Sequence, residues 1–206
     1  MNYTEIDWKL IFDILKSISI ITASCVAIYG INSWRREARW KRKYELAEEV
    51  LSNMYEAHQA IKIIRSPIGL GSEGSSREKS ENEIKEQTEI FNQAYVTRER
   101  FQRNKKPIEK LQSLKFRFIT VYGKDYEKYF DKFSQTINRI FSASDLIAMV
   151  KLGQFEHDKE FKLQIMKENN KVLYNVFKGE DEIEKELNNA ITAIEDKCRA
   201  VIGKNN

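Results

Sequence analysis

The residues best suited to chemistry lie between Arg98 and Arg117, RERFQRNKKPIEKLQSLKFR, where eight basic side chains stand against two acidic ones. Arg98, Arg100, Arg103, Lys105, Lys106, Lys110, Lys115 and Arg117 can hold an anion, because guanidinium and ammonium groups give charge-assisted hydrogen bonds to phosphate or carboxylate oxygens. Phe101 and Phe116 are interspersed, and Pro107 suits the first turn of a new helix. The run therefore reads as a basic elbow between two helices, fit for a nucleotide, an oligonucleotide, a phosphate, a lipid headgroup or a protein partner. Two plainer readings stand beside it. The run pairs with the acidic stretch Glu180 to Glu186, EDEIEKE, or it is a solvated face.

Covalent and metal chemistry find little footing. The sequence has no GxSxG, no HExxH, and no Cys/His pair suited to nucleophilic catalysis. His58 falls within an apolar stripe, with no Cys, Asp or second His at metal-ligand spacing, and reads as a packed core or seam histidine. GLGSEG, within Ser66 to Lys79, lacks the lysine and hydroxyl residue of a phosphate loop and reads as a flexible surface loop. We expect no catalytic residues, no metal and no cofactor.

The elements that must position the basic run are helical. Two prolines and eight glycines in 206 residues favour long helices, and no segment alternates at period two. Tyr44, Ala47, Leu51, Met54, His58 and Ile61 form a stripe spaced by threes and fours that can also serve as a coiled-coil seam, ending at Arg65-Ser66-Pro67. Ser80 to Glu83 matches a capping box, so a helix should start there and reach Asn104, with Ile84, Thr88, Phe91, Tyr95 and Phe101 inward. A second should run from Pro107 to near Gly123. A third starts at Asp125, buries Tyr126, Tyr129, Phe130, Phe133, Ile137, Ile140, Phe141 and Ile147, and stops at Gly153. Phe161, Ile165, Val172 and Val176 mark a fourth, closed by Gly179. Ile183, Leu187, Ala190, Ile194, Cys198 and Val201 mark the last.

Ahead of these lies Ser17 to Trp34, SISIITASCVAIYGINSW, uncharged and fenced by Lys16 and Arg35-Arg36. At about 1.5 Å per helical residue it approaches the roughly 30 Å of a bilayer's hydrocarbon. A buried core helix is the alternative. Against it, the three tryptophans, Trp8, Trp34 and Trp40, lie at or just beyond the ends of the run, where amphipathic rings favour headgroups. Asp13 and Lys16, one turn apart, can pair or snorkel. Arg35, Arg36, Arg39, Lys41, Arg42 and Lys43 form a collar of six cations around one glutamate. The leader carries Glu5 and Asp7 while the cations follow, the reverse of a cleaved signal, so we expect a retained anchor with its N-terminus outside. On a helical wheel Ser19, Thr22, Ala23, Val26, Ala27, Gly30 and Ser33 define a small, partly hydroxylated face opposite the isoleucines. Such a face supports close packing between copies or the wall of a narrow conduit.

The fold class expected is therefore all-α: a single N-terminal transmembrane helix with a basic collar over residues 1–43, then a cytoplasmic helical bundle over 44–206. This layout, with its small polar seam, collar and compact helical domain, resembles bacterial membrane effectors of anti-phage defence. The resemblance implies an inner-membrane homo-oligomer or ion channel whose cytoplasmic domain senses an anionic ligand or partner. The alternatives are a non-conducting, membrane-tethered scaffold that recruits a protein partner, and a lipid-surface adaptor whose collar reads anionic headgroups.

Overall fold

The computed structural model describes residues 8–69, 71–155, 157–175 and 179–203, and among them all regular structure is helical. Five α-helices follow in order: α1 (Trp8–Ile64), α2 (Lys85–Tyr122), α3 (Glu127–Lys151), α4 (Lys159–Leu173) and α5 (Glu182–Ile202). A short 3-10 turn, Lys124–Tyr126, precedes α3. The chain divides into two compact units between Glu45 and Leu46.

In the first unit, every described side chain of α1 from Trp8 to Ile31 is exposed. One stretch of α1 is long and apolar enough to cross a membrane, with a mean hydropathy of 1.9 over 18 residues and none of it buried. A core helix of a soluble protein hides such a surface, because each large apolar side chain left in water forfeits about 1.5–3 kcal/mol.

The second unit is a bundle with a continuous core. Ala47, Val50, Met54, Ala57, Ile61 and Ile64 recur at alternating spacings of three and four, and each is at most 1% exposed. Of the stripe expected from the sequence, Ala47, Met54 and Ile61 lie in the centre of the core and Leu51 at its margin, while Tyr44 and His58 are only partly buried; Val50, Ala57 and Ile64 complete the buried face. It is joined there by Leu111, Leu114 and Phe118 of α2, by Phe130, Phe133, Ile137 and Ile140 of α3, and by Ile183, Leu187, Ile194 and Cys198 of α5. The aromatic stripe after Tyr126 is therefore packing surface, with the Phe118 ring in contact with both Tyr126 and Phe130.

Several boundaries differ from those expected, each for a tertiary reason. α2 runs unbroken through Pro107, so there is no elbow. An interior proline costs about 3 kcal/mol. Burial on both sides of it, at Thr97, Glu99, Arg100, Ile108 and Leu111, opposes that cost, as does the Asn53 amide nitrogen, which donates to the Pro107 carbonyl at 2.7 Å. α2 begins at Lys85 rather than at Ser80: the Ser80 N–H does donate to the Glu83 carboxylate, which also pairs with Arg77, but the helix starts after Ile84, whose N–H donates to the Gln87 side chain.

α4 ends at Leu173, not Gly179, and Phe161 is exposed rather than inward; Val176 lies outside the described residues. The α4 terminus is closed from α1. Arg65, 1% exposed, donates to the carbonyls of Lys171, Val172 and Tyr174 and pairs with Asp181, the N-cap of α5. One guanidinium thus satisfies the free carbonyls of one helix end and reaches the cap of the next.

The Ser66 to Lys79 loop is pinned rather than free. Gly74 N–H donates to the Glu99 carboxylate, and Glu73 holds the Arg100 guanidinium. Gly74 has φ +84, and a Cβ there would lie 2.0 Å from the Asn92 carbonyl oxygen, so only glycine fits.

Candidate functional site

Two sets of residues carry the functional expectations, one in each unit. In the first unit, Ser19, Thr22, Ala23, Val26, Ala27 and Gly30 are exposed and Ser33 is partly so. The hydroxyls are not idle. Ser19 donates to the Leu15 carbonyl and Thr22 to that of Ile18, as Ser17 and Ser24 do one turn back in the same helix. A hydroxyl satisfied by its own backbone carries no unmet donor into a low-dielectric setting. Gly30 has open space around it. The face can therefore meet another surface closely without stranding a polar hydrogen.

Trp8 and Trp34 are exposed, as are Arg35, Arg36, Arg39, Lys41, Arg42 and Lys43, while Trp40 is half-buried against Tyr44 with ring centroids 5.3 Å apart. Arg39 donates back to the Arg35 carbonyl. The collar thus remains a band of solvent-facing cations directly after the apolar stretch.

In the second unit, the basic run from Arg98 to Arg117 is not a single cluster. Arg98 makes a bidentate pair with Asp145 of α3, and those two hydrogen bonds hold its guanidinium above its ordinary pKa. Arg100 is buried on Glu73 and on the carbonyls of Ser66 and Ile68. Arg103 pairs with Glu99, Lys105 with Glu109, and Lys115 with Asp131. Lys110 and Arg117 share Glu49 of α1, each at 3.1 Å. Only Lys106 has no acidic partner among the described residues. Of the cations expected to converge on one anion, Arg98, Arg100, Lys110, Lys115 and Arg117 instead tie α2 to α1, to α3 and to the loop before it, while Arg103 and Lys105 pair with glutamates of α2 itself.

The acidic stretch at the head of α5 is also spent, though not on α2. Asp181 faces Arg65, Glu184 faces His58 and Lys62 at 3.0 and 2.9 Å, and Glu186 faces Lys132 and Arg139 at 3.1 Å. His58 is thus packed at this junction, its side chain 12% exposed, and its contact with the Glu184 carboxylate joins α1 to α5. Burial alone would raise the Glu184 pKa, but the hydrogen bonds from Lys62 and His58 outweigh it and hold the group below its ordinary value. Sequence spacing gave no sign of the His58–Glu184 pair, because its members are 126 residues apart.

No group of three or more His, Cys, Asp or Glu side chains able to hold a metal occurs among the described residues. A cleft of about 740 Å³ between α3, α4 and α5 is lined by charges of both signs, including Arg139, Lys171, Glu168 and Glu182. No protein-family model, curated protein or solved structure matches the chain.

Proposed function

We infer that this chain is a single-span membrane effector of the channel class, acting as a homo-oligomer through the first part of α1 with its helical bundle in the cytoplasm. The observation that carries this reading is the wholly exposed apolar stretch of α1, whose Ser19 and Thr22 hydroxyls on the small face are satisfied within the helix. Lipid offers little hydrophobic drive for helix association, so contact relies on close van der Waals approach. Ala23, Ala27 and Gly30 allow that approach. The exposed collar, Arg35 to Lys43, keeps the bundle on the cytoplasmic side by resisting translocation. The resemblance in layout to anti-phage effectors makes a bacterial inner membrane the expected setting. A signal can control such an assembly only by binding one of its states more tightly than the other.

A non-conducting scaffold is the second reading, favoured by the ion pairs that occupy seven of the eight cations from Arg98 to Arg117. Purified protein in detergent should have a defined oligomeric mass. Vesicles carrying it should leak ions, and Ala23→Leu with Gly30→Leu should abolish both oligomer and leak. A monomer in detergent overturns the effector reading. A stable oligomer that never leaks, in vesicles or in cells, selects the scaffold.

A further inference from the structure

The charges of the collar are not spread evenly around α1. The helix is continuous from Trp8 to Ile64, and at 3.6 residues per turn successive side chains stand about 100° apart. On that wheel Glu37, the one acidic residue of the collar, falls on the midline of the small face that runs from Ser19 to Ser33. Gly30, Ser33 and Glu37 follow one another along it, spaced by three and then four. Arg35, Arg36, Arg39, Arg42 and Lys43 all lie roughly 100–160° from that midline. Lys16 and Lys41 stand nearer its edges, at about 60° and 40°, where a long aliphatic stem can carry the ammonium outward. Glu37 is exposed and has no ion pair among the described residues.

Two hydroxyls on the same face point to the same kind of ligand. Ser19 and Thr22 each spend their one hydrogen on a carbonyl of their own helix, at 2.8 and 2.9 Å. A hydroxyl has a single donor and two acceptor positions, so each of these oxygens presents only lone pairs to its surroundings. Such oxygens can replace part of a cation's hydration shell and offer an anion no hydrogen. The carboxylate and the hydroxyls thus select the same sign of charge, independently of each other.

We propose that Glu37, about 4.5 Å beyond Trp34 along the helix, forms a ring of carboxylates at the inner mouth of the assembled spans and makes small inorganic cations the species conducted. The proposal rests on the homo-oligomeric channel reading, in which the small face turns towards a common axis. Copies related by rotation place one carboxylate each at the same height, and the five cations on the far side of the helix meet lipid headgroups. Like charges gathered around a narrow mouth raise the local concentration of counter-ions and turn away ions of their own sign.

The test uses the purified full chain in planar bilayers with unequal KCl on the two sides, where the reversal potential gives the permeability to K⁺ relative to Cl⁻. The unsubstituted protein should favour K⁺, and less so as the ionic strength rises. Glu37→Gln should bring the ratio towards one, Glu37→Lys should invert it, and Glu37→Asp should keep the preference. Arg42→Gln removes a collar charge from the far side of the helix and should leave the ratio as it was. Because Glu37 and Arg42 are solvent-facing, each variant should keep the helicity and the detergent mass of the parent.

A preference for Cl⁻, no preference, or a K⁺ preference that survives Glu37→Gln overturns the role given to Glu37 and leaves the channel in place. So does a change on Arg42→Gln as large as that on Glu37→Gln, which would mark a general surface potential. A monomer in detergent, or an oligomer that never conducts, overturns the channel reading itself, and the selectivity with it.

Discussion

At the scale of single residues, the bundle is held by carboxylates that each serve two partners. Glu184 takes both His58 and Lys62, and Glu186 takes both Lys132 and Arg139. Both glutamates have folded-state pKa values below the ordinary carboxylate value, the opposing effect of burial notwithstanding. A depressed carboxylate contributes stability that is fully present above its unfolded value, near pH 4.3, and is lost as the pH falls through its lower folded value. Melting should therefore shift to lower temperature as the pH drops below about 4.5. Glu184→Gln should flatten that decline, a comparison read by circular dichroism on the detergent-solubilised protein. An unchanged slope would remove Glu184 as a contributor.

At the scale of elements, the helices whose burial follows local spacing were legible from the chain alone. α5 is the clearest case: Ile183, Leu187, Ala190, Ile194 and Cys198 fall on one buried face, and the helix starts at an Asp181 cap. α2 was not legible, because distant partners decide its limits. The helix starts at the Ile84–Gln87 pair rather than at Ser80, where Glu83 is shared with Arg77, and Asn53 with the buried residues around Pro107 carries the helix through a proline that local rules place at a boundary. The same holds for the candidate anion site: its cations could be counted in the sequence, but their partners Asp145, Asp131, Glu73 and Glu49 could not. An unbroken α2 makes a prediction that an elbow does not. Pro107→Ala restores an N–H to a continuous helix and should raise stability by about 1–3 kcal/mol, read as a higher denaturation midpoint. At a true helix start the change would be neutral or harmful.

At the scale of the whole molecule, the two cysteines report separately on the two units. Cys198 is fully buried, and burial followed by the nearby Glu195 charge pushes its thiol up to about 12. Thiols react as thiolates, so this one should be inert while the bundle is folded. Cys25 is exposed on the apolar stretch of α1, where lipid would exclude a charged reagent. In native membranes a water-soluble maleimide should therefore modify neither, and both should react after denaturation in dodecyl sulfate. Modification of Cys25 alone in intact membranes would mean that water reaches that side of the helix.

Asn53 has a further consequence. Its amide nitrogen is engaged by Pro107, but its Oδ1 is the one buried side-chain polar atom among the described residues that accepts nothing. A carbonyl without a donor absorbs at higher frequency than a bonded one. An isotope-edited asparagine at this position would then serve as a built-in infrared gauge of how α1 is seated against α2. Any slippage of α1 that brought a donor to that oxygen would register as a red-shifted band, with no dye or spin label introduced.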